Sequence, residues 1–396
     1  MSGRYTPQLQ ATITRLGGRM PFSEAAQEVW HSCGTTVTAS TMRRTSQRHG
    51  RAAEAVAKEE VVRLETEAPT ATARPKQLLV SVDGALIPLT NGEWREVKSV
   101  AIGSFETKWQ RKKGALEVKT GELTYFSRSY RIRDFERFAL AEFHRRGVDN
   151  ARQVVAVNDG AEWIQPFLDY HCPEATRIID FSHAASYLAD AGKAIYGSET
   201  ETFRHWFQHA RRELKRKPPQ QTLANLALLR PKADAEEQRA AVDCAYRYFE
   251  KRLAMLDYPH FQRCGLPIGS GAVESSHKHV IHCRLKGAGM RWAPASVDPM
   301  LALRNLLSNK RWQEGWQDIV AHHQKQRRLK LHQRVAAKQP PPKEPLTFAS
   351  LAAAGLLPAP PPAEPPDAKL AKRWRPAPDH PWRNGHWPTK VAWRWN

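Results

Sequence analysis

The sequence predicts a mixed α/β protein, an α+β mixed sheet interrupted by an all-α insertion and preceded by a small helical region. Three observations carry this. Residues 77–183 alternate short apolar runs with helical periodicity, residues 184–265 are rich in Ala, Leu, Arg and aromatics without a strand pattern, and residues 1–68 show helical spacing between turn signals.

The N-terminal region opens with a short amphipathic run over residues 7–16. A second helix follows Pro21 from Phe22 to Trp30, and Gly34 ends it. Thr38 then caps a third helix that runs to about His49, with Gly50 just past its end. On that helix Ala39, Met42 and Thr45 are expected inward, and Arg43, Arg44, Gln47 and Arg48 outward. Helix, glycine-containing turn and basic helix is a helix-turn-helix arrangement, whose second helix enters the DNA major groove. The alternative is a helical hairpin with a solvated charged face. Residues 51–67 continue as a charged helix, and residues 69–76, with Pro69 and Pro75, read as a linker.

The core pattern starts at Gln77. Leu78-Leu79-Val80-Ser81-Val82-Asp83 is a buried run ending in an acid, and residues 94–102 and 123–130 alternate as antiparallel strands do. Residues 134–146 form a helix with Phe135, Phe138, Ala139 and Phe143 on one face. Val154-Val155-Ala156-Val157 is a further strand, ending at Asn158-Asp159. A helix follows from Ala161, and residues 177–180 make the fifth strand. Strand, strand, strand, helix, strand, helix, strand, with acids at the ends of the first and fourth strands, is the ribonuclease-H-like order. Lys217-Pro218-Pro219 breaks the helical insertion of residues 184–265. Residues 266–338 carry a helix over 269–283 and a basic helix over 298–338. Residues 339–396, Pro-rich and then basic with Trp374, Trp382, Trp387, Trp393 and Trp395, are expected to be disordered.

The 396-residue chain holds 61 Lys+Arg against 40 Asp+Glu, a net charge of +21, with 41% hydrophobic residues. The apolar share suffices for a sizeable core. The cationic surplus points to a polyanion, first of all nucleic acid, because each neutralised phosphate releases counterions. Five scattered cysteines without a CxxC pair argue for free thiols in a reducing compartment. No apolar leader and no run of about 18 apolar residues are evident. The expectation is a cytoplasmic, nucleoid-associated protein with no membrane partner.

Asp83 and Asp159 both follow buried strands, so both are expected at carboxyl ends, where clefts form. Two such acids repel unless positive charge lies between them. Two hard cations with oxygen ligands, about 3.5–4 Å apart, supply it and clamp the attacking and leaving oxygens of a phosphodiester. Glu274, 115 residues beyond Asp159, completes the set from a helix.

Three stretches carry a family resemblance. They are Val82-Asp83-Gly84-Ala85, then Val157-Asn158-Asp159-Gly160-Ala161-Glu162-Trp163-Ile164, and finally Gly269-Ser270-Gly271-Ala272-Val273-Glu274-Ser275-Ser276-His277-Lys278 with Cys283-Arg284-Leu285-Lys286-Gly287-Ala288-Gly289-Met290-Arg291-Trp292. Together they resemble the ISKra family of bacterial insertion-sequence transposases, of the DDE class, over residues 5–310 and most weakly in the helical insertion. Asp180-Phe181-Ser182-His183 is similar to the acid-x-x-His signature of Mutator-like transposases and their bacterial relatives. The resemblance implies Asp83, Asp159 and Glu274 as catalytic metal ligands and two Mg²⁺ or Mn²⁺ ions as cofactors. It also implies the helix-turn-helix and action on terminal inverted repeats. Relatives with more sequence ahead of the helix-turn-helix make an N-terminally shortened copy an alternative.

Asp180 and His183 are accessory candidates, as is Lys278, one helical turn after Glu274. Arg284, Lys286 and Arg291 suit phosphate contacts beside the metals, with a solvated basic face as the alternative. Trp163 and Trp206 suit the core better than base stacking. His277, His279, His282 and Cys283 cannot all converge from one helix, which argues against zinc. The expected activity is metal-dependent cleavage and strand transfer on double-stranded DNA, element ends and target alike, without a covalent protein intermediate. A homodimer or higher assembly is expected to pair two ends. The rivals are a noncatalytic DNA-binding regulator derived from a transposase and a structure-specific nuclease.

Overall fold

A computed structural model of the chain describes residues 5–111 and 115–336. It divides into a compact unit over Met1–Arg328 and a second over Leu329–Asn396. The Pro-rich and Trp-rich stretch expected over 339–396 lies outside the described residues, as do the last two residues of the basic helix expected to reach 338.

Three helices lead. The first, α1 (Pro7–Gly17), has proline at its first position and the Thr6 hydroxyl accepting from the Leu9 N–H. Next, α2 (Phe22–Cys33) stops at Gly34, which takes the left-handed φ of 61° that ends helices at low cost. Then α3 (Ala39–Glu67) starts at Thr38, whose hydroxyl accepts from the Thr41 N–H. Ile13, Val29 and Met42 pack this trio together. The expected inward residues Met42 and Thr45 are buried, whereas Ala39 is exposed.

The third helix does not end at Gly50. It runs on for 29 residues, and Gly50 sits inside it, where a Cβ would stand 2.4 Å from the Pro299 carbonyl oxygen. The glycine is there for a close backbone approach, not for a turn. Nor is residue stretch 69–76 a free tether. The Asn150 side-chain amide donates to the Ala71 carbonyl at 2.6 Å, and Gly147 abuts Ala73.

The sheet contains β1 (Gln77–Pro88), β2 (Trp94–Gln110), β3 (Ala115–Arg128), β4 (Gln153–Asn158) and β5 (Thr176–Ile179), in spatial order β3-β2-β1-β4-β5. The first three pair antiparallel, and β4 and β5 add parallel to β1. The first three strands are longer than expected. Pairing between β2 and β3 resumes past a register shift at Ile102/Ser104 and carries the hairpin out to Gln110 and Ala115.

Side-chain parity sorts the faces. Leu78, Val80 and Val82 point to the side covered by α4 (Ile132–Arg146) and α5 (Ile164–His171), where Phe135, Phe143 and Phe167 pack. Leu79 and Ile87 point to the other side, against the helical insertion. That insertion comprises α6 (Phe181–Tyr196), α7 (Glu201–Arg216), α8 (Pro219–Ala227), α9 (Glu236–Glu250) and α10 (Tyr258–Arg263). The Lys217-Pro218-Pro219 break separates α7 from α8 as expected.

The helix expected over 269–283 is interrupted. It consists of α11 (Gly271–Ser276), a π-helical turn (His277–His282) and the single turn α12 (Cys283–Leu285). The stretch expected as one basic helix divides into α13 (Pro294–Ser308) and α14 (Trp312–Ala336) at Lys310, whose φ is +59°.

Buried arginines lock the leading helices to the core. Arg284 is 2% exposed, donates to the Gly17 carbonyl at 2.9 Å, and lies over the rings of Phe22 (4.5 Å) and Trp292 (4.8 Å). Arg304 donates to Gly18 and Val280 carbonyls at 3.0 and 3.3 Å. Among the described residues no helix is long and apolar enough to cross a membrane.

Gly50→Ala is therefore expected to push α13 off α3 and cost roughly 1–3 kcal/mol, as overpacking does. Urea denaturation measures it. A midpoint equal to the wild type would show that the two helices have room to spare.

Candidate functional site

The parallel ladder between β1 and β4 stops early. Its last pair is Val80 with Ala156, and Asp83 and Asp159 each lie three residues beyond it. There the Asn158 side chain takes over, accepting from the Val82 N–H. Asn158 is 3% exposed, so its carboxamide is committed to closing the end of the ladder. The strands are split at this point, and the two aspartates stand at the same level.

Parity puts both on one face. Asp83 continues the series of Leu79 and Ile87, and Asp159 that of Val155 and Val157, all on the side of the helical insertion. One expectation needs correction. Asp83 does not end its strand but sits inside β1, paired opposite Ser99, and β1 continues to Pro88. The run of Gly84 to Pro88 carries a glycine and a proline, which read as strand punctuation, yet its backbone still finds partners on β2.

The loop after β4 is held by backbone contacts. The Asp159 carboxylate accepts from the Ala161 N–H at 2.9 Å, Tyr248 donates its hydroxyl to the Asp159 carbonyl at 2.8 Å, and Arg252 donates to the Gly160 carbonyl at 2.7 Å. Gly160 has φ +82°, and a Cβ would lie 2.8 Å from the Arg252 Nε. This loop delays the next helix, which begins at Ile164 and not at Ala161.

Asp180 is 6% exposed and uses both carboxylate oxygens. Oδ1 caps α6 by accepting from the His183 N–H at 2.7 Å, and Oδ2 accepts from the Ser270 N–H at 2.6 Å, just before α11. Its role is to join chain segments. The His183 ring stands 5.5 Å from Tyr187 and 6.0 Å from Tyr248, so this residue contributes its amide to the clamp and its ring to an aromatic group.

The electrostatics follow from this crowding. Burial pushes the Asp83 carboxyl up from 3.8 to about 6; the Gly84 amide opposes that, and the charges of Asp159, Glu96 and Asp180 add to it. His277 Nδ1 lies 3.9 Å from the Asp83 carboxylate. The His277 imidazole is held low, at about 4, by burial and by His282 and Lys286, and its Nε2 is buried without a hydrogen-bond partner among the described residues.

Glu274 stands apart from this group. It is exposed on α11, whose Ala272, Val273 and Ser276 are turned inward. Among the described residues no three His, Cys, Asp or Glu side chains gather closely enough to hold a metal ion. Asp83 and Asp159 present hard oxygen donors that form no lysine or arginine ion pair among the described residues, which fits a hard divalent cation. The third carboxylate is not assembled with them.

The basic candidates divide. Lys278, Lys286 and Arg291 are exposed, as are Arg43 and Arg44. Arg284 was expected among the phosphate contacts and is instead the buried arginine over Phe22 and Trp292. Gln47 donates to the Ser296 hydroxyl at 2.8 Å, and Arg48 donates to Gln10 at 2.7 Å, so both are engaged within the protein. Trp163 and Trp206 are half-buried and pack against the two main cores. Sequence reasoning missed Tyr248, Arg252 and the proximity of His277 to Asp83. Nothing in the local pattern distinguishes those residues, because their partners are distant backbone groups and a side chain 194 positions away.

No family model matches this chain. A search of curated proteins likewise finds no match.

Two outcomes are expected from this geometry. Unfolded Asp83 loses its proton near 3.8 and the folded residue near 6, so the folded state binds more protons between these values. Wild type should therefore lose stability relative to Asp83→Asn as pH rises through that window. A flat difference in denaturation free energy from pH 4 to 7 would rule out the crowding. Asp180→Ala should lose about 0.5–2 kcal/mol with the cap and speed hydrogen exchange at the Ser270 amide. Asp180→Asn, keeping one oxygen, should lose less. Unchanged exchange at Ser270 in both variants would refute the clamp.

Proposed function

We propose that this chain is a DDE-class DNA transposase of the insertion-sequence type, with a ribonuclease-H-like core and an N-terminal helix-turn-helix formed by α2 and α3. One observation carries the reading. Asp83 and Asp159 lie side by side on one face, where the two central parallel strands part, in a sheet ordered β3-β2-β1-β4-β5. The long helical insertion between β5 and α11, and the net charge of +21, support it further.

Asp83 and Asp159 are the residues that would hold Mg²⁺ or Mn²⁺, with Glu274 joining them from α11. Such ions, when bound, lower the pKa of a coordinated water and neutralise charge on a phosphodiester. The chain's own residues do the positioning. Tyr248 and Arg252 hold the loop that carries Asp159, and Asp180 holds the start of the segment that carries Glu274. Lys278, Lys286 and Arg291 provide exposed charge for phosphates on that same segment, while Arg43 and Arg44 do so on α3. The partner is double-stranded DNA, as element ends and target, bound by a dimer or higher assembly.

A second reading, a noncatalytic DNA-binding protein of transposase origin, is favoured by one feature: among the described residues no three ligating side chains, Glu274 included, gather closely enough to hold a metal ion.

Strand cleavage separates the two. Purified protein is incubated with labelled element-end DNA and Mg²⁺ or Mn²⁺. Metal-dependent nicking is expected, with a loss of at least about a hundredfold in Asp159→Asn and Glu274→Gln, in keeping with the weight of electrostatic stabilisation at such centres. Salt-sensitive binding without cleavage, equal in all variants, would sink the enzyme and favour the second reading.

A further inference from the structure

A second charged feature lies away from the aspartates. A pocket of about 820 Å³ is lined by Arg19, Arg146, Arg304 and Lys310, with His279 and Cys283 from the π-turn segment. Four permanent cations face it, against one carboxylate, Glu122. Like charges this close raise one another's energy: burial first, and then the charge of Arg19, disfavours the protonated state of Arg304.

Three of the four cations make no side-chain hydrogen bond or ion pair among the described residues, although Arg146 feels the charges of Glu142 and Glu122. Arg304 is spent on the carbonyls of Gly18 and Val280. Arg146, by contrast, keeps its Nε buried with no hydrogen-bond partner among the described residues, a cost that native proteins rarely leave standing. Arg19 and Lys310 are exposed and make no side-chain hydrogen bond or ion pair among the described residues. Lys310 also holds φ +59°, a backbone position that glycine takes at less cost, so a charged side chain is presented there against local preference.

We propose that this pocket is a phosphate-binding site, in which Arg146 and Lys310 contact the anion and Arg19 closes over it. Arginine offers the fork that matches phosphate oxygens, and lysine adds a point charge. The phosphate comes from a DNA backbone or from a free phosphate. The backbone source rests on the transposase reading; the site itself does not. The π-turn segment would then link two places, since His277 faces Asp83 and His279 and Cys283 face the pocket.

Arg146→Gln and Lys310→Gly test this. The glycine suits the positive φ, so Lys310→Gly is expected to fold with an unchanged or raised melting temperature. Binding of a short labelled duplex is followed against salt, and the melting temperature is followed against inorganic pyrophosphate. A backbone source predicts a salt slope lower by about one in each variant, the share of one phosphate contact. A free-phosphate source predicts that pyrophosphate raises the melting temperature of the wild type and of neither variant, with the duplex slope unchanged. Either result upholds the site and names its source. Equal slopes and equal pyrophosphate response in wild type and both variants overturn it. A wild type that binds no duplex at any salt overturns the transposase reading alone, and the pyrophosphate response then decides the site.

Discussion

The two oxygens of Asp180 hold the chain at both ends of a ninety-residue excursion. One caps the helix that leaves the sheet, and the other receives the amide at which the chain returns. The Phe181 amide reinforces the junction by donating to the Ile268 carbonyl at 2.9 Å. A buried carboxylate is costly unless it is hydrogen-bonded, and two backbone donors meet that cost here. The consequence is geometric. The start of α11 is tied to the end of β5, and so to the level at which Asp83 and Asp159 stand, whatever the helices in between do. Tyr258 strengthens the same corner by donating its hydroxyl to the Ile179 carbonyl at 3.0 Å.

Around that corner negative charge accumulates inside a chain that is otherwise strongly positive. Asp159 and Asp180 add to the crowding at Asp83 where β1 and β4 separate, and among the described residues no lysine or arginine forms an ion pair with these aspartates. Arg252, just past α9, is turned to the Gly160 carbonyl. Perturbed carboxyls of this kind cluster at functional sites. The surrounding cations are distributed accordingly, with Lys286 and Arg291 at the surface and Arg284 drawn into the interior to pin the leading helices.

That pinning bears on how the basic face of α3 is offered. Gly50 lets α3 pack closely on α13, and the buried arginines hold the end of α1, so the exposed Arg43 and Arg44 project from a packed base. Gln47 and Arg48, one turn further, are drawn into contacts with Ser296 and Gln10, which narrows the free face to the first turns of the helix. A basic face carried this way is held by the core at the expense of independent movement.

The sequence by itself determined the elements and their order. The five apolar strand runs, the Phe-rich face of α4, the Gly34 helix end and the Pro218-Pro219 break are all local signals, set by periodicity, propensity and backbone freedom. It also placed Asp83 and Asp159 directly after apolar runs; that the two share a face follows from the pairing of Leu79 with Val155, which the strand register sets. Tertiary structure alone decided the rest. Helical periodicity marks Arg284 as a charged residue on a helix but cannot say that Phe22 and Trp292 enclose it. Gly50 reads as a stop until Pro299 is beside it. Tyr248, Arg252 and His277 acquire their roles from backbone groups and side chains far along the chain. The separation of Glu274 from the aspartates is likewise a matter of how α11 sits on the sheet. Pairings of this kind depend on which surfaces pack together, and no local pattern encodes them.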